Sequence, residues 1–128
     1  MANAVHHAMS AAKKFGGDWT SYIEIENWFD ETKSWIPDSR HRAMRHHAEG
    51  IFECEKVFGS VVRVPLKDGV IKEVPTRLIG EQHVKEDCGF IPKAWDYVQG
   101  MKKDPWMKKV GVKINVNLEN ELIEEINL

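Results

Sequence analysis

Three stretches in the first half of the chain carry apolar residues at helical spacing. They cover residues 3–15, 21–35 and 37–59, and glycine pairs or proline-containing turns separate them. Ser21 followed by Glu24 forms a capping-box pattern at the start of the second stretch. The pattern therefore predicts an N-terminal bundle of about three helices.

The pattern changes to β-branched and alternating residues after Ser60. Residues 61–66 and 70–78 flank an Asp-Gly turn, which is typical of an antiparallel hairpin. Short helices are predicted over 80–87 and 92–101. Residues 110–118 alternate apolar and polar side chains and are predicted to form a third strand of the same sheet, before a closing helical turn over 119–127.

These elements predict an α+β fold in which an N-terminal helical bundle packs against a small antiparallel sheet made of the hairpin and the C-terminal strand. The 128 residues fit a single domain spanning the chain, with 108–128 as a C-terminal extension. No composition shift or low-complexity stretch marks an internal linker.

Composition narrows the class of protein without naming its function. Apolar residues make up 42% and charged residues 30% of the chain, as in ordinary globular domains. A net charge of −2 predicts neither bulk nucleic-acid binding nor attraction to a membrane. Cys54 and Cys88 stand far apart, so a thiolate zinc site is not expected. The N-terminus has no hydrophobic leader, and we expect a cytoplasmic protein.

The most distinctive chemistry lies in residues 40–47, which hold three arginines and three histidines. Imidazole is the commonest ligand of zinc, iron and manganese, and ligands from several helices can meet at one ion. We expect His7, His47 and His83 to bind such a divalent ion, because His47 falls at the centre of the apolar arc of the third predicted helix. The alternative is a core histidine bonded to backbone groups. His41 and His46 are expected at the flanks of the helix, solvated or paired with Glu49 and Glu53, and Asp30 is expected in solvent.

Glu55 and two arginines are the remaining candidates. Glu55 falls inside the edge of the apolar arc and would act as a catalytic base, unless the helix twists enough to place it at the rim. Arg42 and Arg45 would bind a phosphate group. A solvated arginine face, with Arg45 paired to Glu49 one turn away, is the alternative.

Four segments, taken together and in order, resemble a family of small proteins of unknown function found in bacteriophages and bacteria. They are the segments at 6–17, 28–33, 40–52 and 80–87, which include Arg-His-Arg-Ala-Met-Arg-His-His and Gly-Glu-Gln-His-Val. The resemblance spans about residues 5–107, and the tail from Lys108 extends beyond it. Glu26 is a departure, because relatives often place a histidine there. The resemblance implies a phage or bacterial setting and no particular activity.

Two hypotheses of function follow. The first is a histidine-ligated metal-binding hydrolase that acts on a phosphorylated small molecule or a nucleotide. The second is a non-catalytic phage accessory protein that binds or sequesters a host protein, a nucleotide signal or a nucleic acid. The expected partner is thus a small anionic ligand or a host macromolecule and not a membrane, and a homo-oligomer is compatible with the sequence.

Overall fold

A computed structural model describes residues 3–109, and it consists of helices around one small hairpin. The α-helices are α1 (Ala4–Phe15), α2 (Ile23–Asp30), α3 (Arg42–Arg45), α4 (Ala48–Phe58), α5 (Thr76–Cys88) and α6 (Ala94–Val98). Short 3-10 segments cover Trp19–Ser21, Glu31–Ser34, Ser39–His41 and Pro105–Lys108. The α+β class predicted from the sequence is confirmed.

The hairpin joins β1 (Val61–Pro65) to β2 (Ile71–Pro75) in antiparallel register, with Val61 opposite Pro75 and Pro65 opposite Ile71. Each strand buries a single valine, Val64 and Val74, and exposes or half-exposes its other residues. The hairpin therefore covers one side of the helical core. The predicted third strand and closing helical turn lie outside the described residues.

The core gathers between α1, α2, α4 and α5. Its buried apolar side chains come from every one of these helices and from the hairpin, and include Ala8, Ala11, Tyr22, Ile25, Phe29, Ile51, Cys54, Ile79 and Val84. Helix α5 contacts α1, α2 and α4, so it runs at the centre of the bundle. Among residues 3–109, none of the helices is long and apolar enough to cross a membrane.

The predicted long third helix is wrong in one respect, because the chain leaves helical geometry at His46 and His47. His46 has φ −86° and ψ 63°, and His47 is extended at φ −160° and ψ 173°. The imidazole of His47 then caps α4, accepting a hydrogen bond from the backbone N–H of Gly50 at 2.9 Å. This cap offsets the loss of helical hydrogen bonds at the break.

Gly50 is required at this break. An added Cβ at Gly50 would lie 1.9 Å from the backbone oxygen of Arg45, so only glycine permits the close approach. The first turn of α4 therefore folds back against the end of α3. As a consequence, the two neighbouring histidines point to different parts of the molecule.

Candidate metal centre

Two helices each contribute a pair of polar side chains to the interior. Glu26 and Asp30 lie four residues apart on α2, and His83 and Asp87 lie four residues apart on α5. Residues at this spacing share one face of a helix. Because α2 packs on α5, the two pairs face each other, and Glu26 and His83 are each only 1% exposed.

The break between α3 and α4 adds a histidine to this cluster. The Nε2 atom of His46 lies 3.0 Å from Oδ2 of Asp87, 3.2 Å from Nε2 of His83 and 3.4 Å from Oδ1 of Asp30. His83 Nε2 in turn lies 3.3 Å from each of the two aspartate oxygens. Asp30, His46, His83 and Asp87 are called the four-residue cluster below.

These spacings match the edges of a metal coordination polyhedron. Ligands at about 2.0–2.1 Å from a tetrahedral ion are separated by about 3.3–3.4 Å, and octahedral neighbours by about 3.0 Å. The measured separations run from 3.0 to 3.4 Å. The four donor atoms thus surround a point that is suited to one small cation.

Hydrogen bonding can pair the cluster only if both imidazoles carry a proton on Nε2. His46 then donates to Asp87 Oδ2 at 3.0 Å and His83 to Asp30 Oδ1 at 3.3 Å, and the two N–H groups face each other across the 3.2 Å between the Nε2 atoms. A cation at the centre would instead accept a lone pair from every one of these atoms.

The second nitrogen of His83 is held by Glu26. Its Nδ1–H donates to Oε2 of Glu26 at 2.5 Å, and both side chains are buried. Carboxylate–histidine pairs of this kind orient metal-binding imidazoles and increase their basicity. Burial raises the pKa of Glu26, although the hydrogen bond from His83 pulls it down.

His7 on α1 holds Asp87 in a similar way. Its Nε2–H donates to Oδ1 of Asp87 at 3.1 Å, and its Nδ1–H donates to Glu86 at 2.7 Å. Burial opposes the charged ring, but the hydrogen bonds to Asp87 and Glu86 outweigh it and raise the pKa of His7. The Oδ2 atom of Asp87 is thereby left facing the centre of the cluster.

Aromatic packing fixes the rings. Phe29 stacks on His83 with ring centroids 4.9 Å apart and contacts His46 edge-on at 5.8 Å. The hydroxyl of Tyr97 donates to the backbone oxygen of His46 at 2.8 Å. The cluster thus sits in an apolar shell in which electrostatic interactions are stronger than in water.

The charged histidines and aspartates of the cluster also stabilise one another when no ion is bound. Burial disfavours the charged form of His83, but Asp30, Asp87 and Glu26 outweigh it and raise its pKa from 6.5 to about 11. Burial likewise opposes ionisation of both aspartates, yet the histidines hold their pKa values well below 3.8. A cation must therefore displace the His83 proton when it binds.

The residues predicted from the sequence fall in different places. His83 is in the four-residue cluster, and His7 contacts it through Asp87. His47 is not in it, because one ring nitrogen caps α4 and the other donates to the backbone oxygen of Ala43 at 3.0 Å. Glu55 is half-buried on α4 and lies outside the cluster.

The two arginines also differ. Arg45 donates to the backbone oxygen of Trp28 at 2.6 Å, pairs with Glu31 and lies over the Trp28 ring, so it has a structural role. Arg42 has no ion-pair partner within residues 3–109, and its Nε atom is buried without a hydrogen bond. Arg42 thus differs from Arg45 in having no ion pair within residues 3–109.

Sequence reasoning missed most of the cluster. Asp30 was expected in solvent and His41 and His46 at the flanks of a helix, and both expectations are wrong: the Asp30 side chain is 11% exposed and both histidines are at most 1% exposed. The paired spacing Glu26–Asp30 and His83–Asp87 was the available signal. No sequence signal indicated that His46 points inward, because its direction depends on the break between α3 and α4.

Thiolate chemistry is not part of this centre. Burial raises the pKa of the Cys54 thiol to about 12, and both Cys54 and Cys88 are free. Cys88 lies next to Asp87 in sequence, but its sulfur contacts the Tyr97 hydroxyl at 3.5 Å. The donor set is therefore made of nitrogen and oxygen alone.

A family model covers nearly all of the described chain. The model for a domain of unknown function, DUF6915, matches residues 2–107. The chain belongs to this family. All members of the four-residue cluster, and the His7 and Glu26 side chains that hold it, lie inside the part matched to DUF6915. Searches of curated proteins and of solved structures gave no match.

Proposed function

We propose that the protein binds one divalent transition-metal ion between Asp30, His46, His83 and Asp87. The observation that carries this proposal is the convergence of four donor atoms from three separate parts of the chain. Each histidine Nε2 lies 3.0–3.4 Å from the other and from both aspartate oxygens, and all four atoms lie within 4.8 Å of one another. A dication would replace the protonated His83 in compensating the buried aspartates.

The donor set narrows the choice of ion. Two imidazoles and two carboxylates suit zinc, manganese and iron, whereas calcium and magnesium prefer oxygen ligands alone. Copper(I) sites generally use sulfur ligands, and the cluster contains none. We therefore expect zinc, manganese or iron in the protein.

The chemistry that such an ion supplies is activation of water and polarisation of a phosphoryl oxygen. We propose that the protein hydrolyses a phosphorylated small molecule or nucleotide, with Arg42 binding the phosphate. Arg42 is the first residue of α3, four residues before His46, and its guanidinium lacks a carboxylate partner within residues 3–109.

A groove beside the same segment provides space for the organic part of a substrate. It has a volume of about 890 Å³ and is lined by Trp35, Ile36, Pro37, Arg40, Ala43, Met44, Tyr97, Gly100 and Met101. Aromatic and aliphatic walls with a few polar groups are typical of small-molecule sites. Tyr97 connects this groove to His46 through its hydrogen bond.

Metal analysis of protein purified without a histidine tag tests the proposal first. We expect about one equivalent of zinc, manganese or iron per chain, and less than a tenth of that in His83→Ala. The matched control is His6→Ala, because His6 is exposed on α1 and is not in the cluster. Equal metal content in all three proteins would contradict the proposal.

Hydrolysis of p-nitrophenyl phosphate and of nucleoside triphosphates by the metal-loaded protein tests the catalytic part. We expect activity that is lost with a chelator and in Asp87→Asn, and a raised KM in Arg42→Leu. If the protein binds a full equivalent of metal but hydrolyses no phosphoester, the metal-binding proposal stands and the hydrolase proposal is rejected.

A further inference from the structure

Two buried acceptor atoms at the four-residue cluster, Nε2 of His41 and Oδ2 of Asp30, have no hydrogen-bond donor within residues 3–109. The Nδ1 atom of His46, which carries the proton when Nε2 binds a metal ion, is also buried without a partner there. Lys33 lies 3.7 Å from the Asp30 oxygen, beyond hydrogen-bond distance. Buried polar atoms in folded proteins are nearly always paired, so a group that the protein itself does not provide belongs here.

The tautomer of His41 is fixed by its other nitrogen. Nδ1 lies 2.7 Å from the backbone oxygen of Asp38, which can only accept, so Nδ1 carries the proton. In the neutral ring Nε2 is then an acceptor. The hydroxyl of Thr32 donates to the backbone oxygen of His41 at 3.2 Å, and His41 is 1% exposed. The ring is therefore held with its lone pair directed inward.

The Nε2 atom of His41 lies close to the cluster but too far from it for a direct hydrogen bond. His41 Nε2 lies 3.9 Å from Oδ1 of Asp30. His41 is not among the described residues whose donor atoms all lie within 4.8 Å of one another, so it is not a fifth ligand in this geometry. A small molecule that donates hydrogen bonds would pair His41 Nε2 and Asp30 Oδ2.

We propose that His41 holds an exchangeable water molecule on the metal ion. This inference rests on the proposed metal site and specifies its open position. The water oxygen binds the ion next to Asp30, and one of its hydrogens points at Nε2 of His41. A closed site with four protein ligands is typical of structural zinc, whereas a site that keeps a water is typical of catalysis. His41 is thus a positioning residue for the water.

Cobalt(II) reports the difference directly. A four-coordinate cobalt centre absorbs visible light strongly, and a water-bound centre of higher coordination number absorbs weakly. We expect the weak type of spectrum for the wild-type protein loaded with one equivalent of cobalt. His41→Gln keeps an acceptor near the position of Nε2 and should retain this spectrum. His41→Leu removes the acceptor and should shift the spectrum toward the strong type.

Both variants lose the hydrogen bond from Nδ1 of His41 to the backbone oxygen of Asp38. A difference between their cobalt spectra is therefore due to the acceptor that only His41→Gln keeps, and not to a change in the fold. A strong, four-coordinate spectrum of the wild type, or identical spectra for wild type and His41→Leu, would overturn the inference while the metal site stands. Cobalt that does not bind at all would instead reject the proposed function.

The wild-type protein decides the matter even if His41→Leu does not fold. Manganese(II)-loaded protein in ¹⁷O-enriched water should show a broadened electron paramagnetic resonance signal from a bound water. An unbroadened signal would overturn the inference.

Discussion

The candidate metal centre has two halves that are built differently. One half lies on the continuous helices α2 and α5, where Glu26–Asp30 and His83–Asp87 each repeat at one helical turn. The other half lies at the break between α3 and α4, where His46 turns inward and His47 caps the next helix. The helical half is positioned by regular spacing, and the break half by one unusual backbone geometry.

The two halves should therefore respond differently to substitution. On a helix, the direction of a side chain follows from its position, and the backbone is held by hydrogen bonds along its length. At the break, His46 depends on a close contact between the Arg45 oxygen and Gly50. We therefore expect a change that moves the backbone at the break, such as an added Cβ at Gly50, to disturb the whole centre, and side-chain substitutions to remove single ligands.

The largest effect is expected from Gly50→Ala. Its Cβ would lie 1.9 Å from the Arg45 oxygen, so the backbone must move, and we expect a loss of about 3 kcal/mol or more in the free energy of unfolding. Metal binding should be lost with it. Urea unfolding measures this, and Gly100→Ala is the control because nothing lies within 4 Å of its Cβ. Equal stability of the two variants would show that the break is not constrained.

The adjacent histidines give the sharpest contrast. His46→Asn removes a ligand, and we expect metal affinity to fall by more than about 100-fold, since even residues that only support ligands contribute about 10–100-fold. His47→Asn keeps a side chain that can cap α4, and metal affinity should change by less than about threefold. Competition titration with a metal indicator measures both, and a larger loss in His47→Asn would reverse our assignment.

Glu26→Gln should have a smaller effect on the helical half. The amide can still accept the hydrogen bond from His83 Nδ1, but it lacks the charge that increases the basicity of the imidazole. We expect metal affinity to fall by about 10–100-fold with little loss of fold. Glu24→Gln, on the exposed side of α2, is the matched control. An unchanged affinity in Glu26→Gln would mean that the pair has no influence on the ion.

The smallest effect is a difference in pH dependence between metal-free and metal-loaded protein. The pKa of His83 is raised from 6.5 to about 11, so its contribution to stability is complete below 6.5 and is lost as pH rises toward 11. With the ion bound His83 is already neutral, and this alkaline loss should be absent. Melting temperatures between pH 7 and pH 10 measure it, and parallel curves for the two forms would contradict the assignment.

The helical half of the centre could be predicted from the sequence better than the break. Helical periodicity predicts α1 and α2, and the Asp68-Gly69 turn predicts the hairpin, because each depends on local spacing. Only residues 80–87 of α5 were predicted as helix, and residues 76–78, predicted as the end of a strand, form its first turn. His83 was a candidate because carboxylates surround it in the sequence. The break at His46 and His47 depends on a tertiary contact of Gly50, so a continuous helix was predicted there. That error placed His46 in solvent and made His47 a metal ligand, whereas His47 is the alternative, a core histidine bonded to backbone groups.

X-ray absorption spectroscopy of the metal-loaded protein is the most direct test of the proposed metal site. We expect one ion per chain with nitrogen and oxygen neighbours at about 2.0–2.1 Å and no sulfur neighbour. Two imidazole rings should contribute to the scattering, reduced to one in His46→Asn and unchanged in His47→Asn. A sulfur neighbour, or an imidazole signal that His47→Asn reduces and His46→Asn does not, would contradict the proposed metal site.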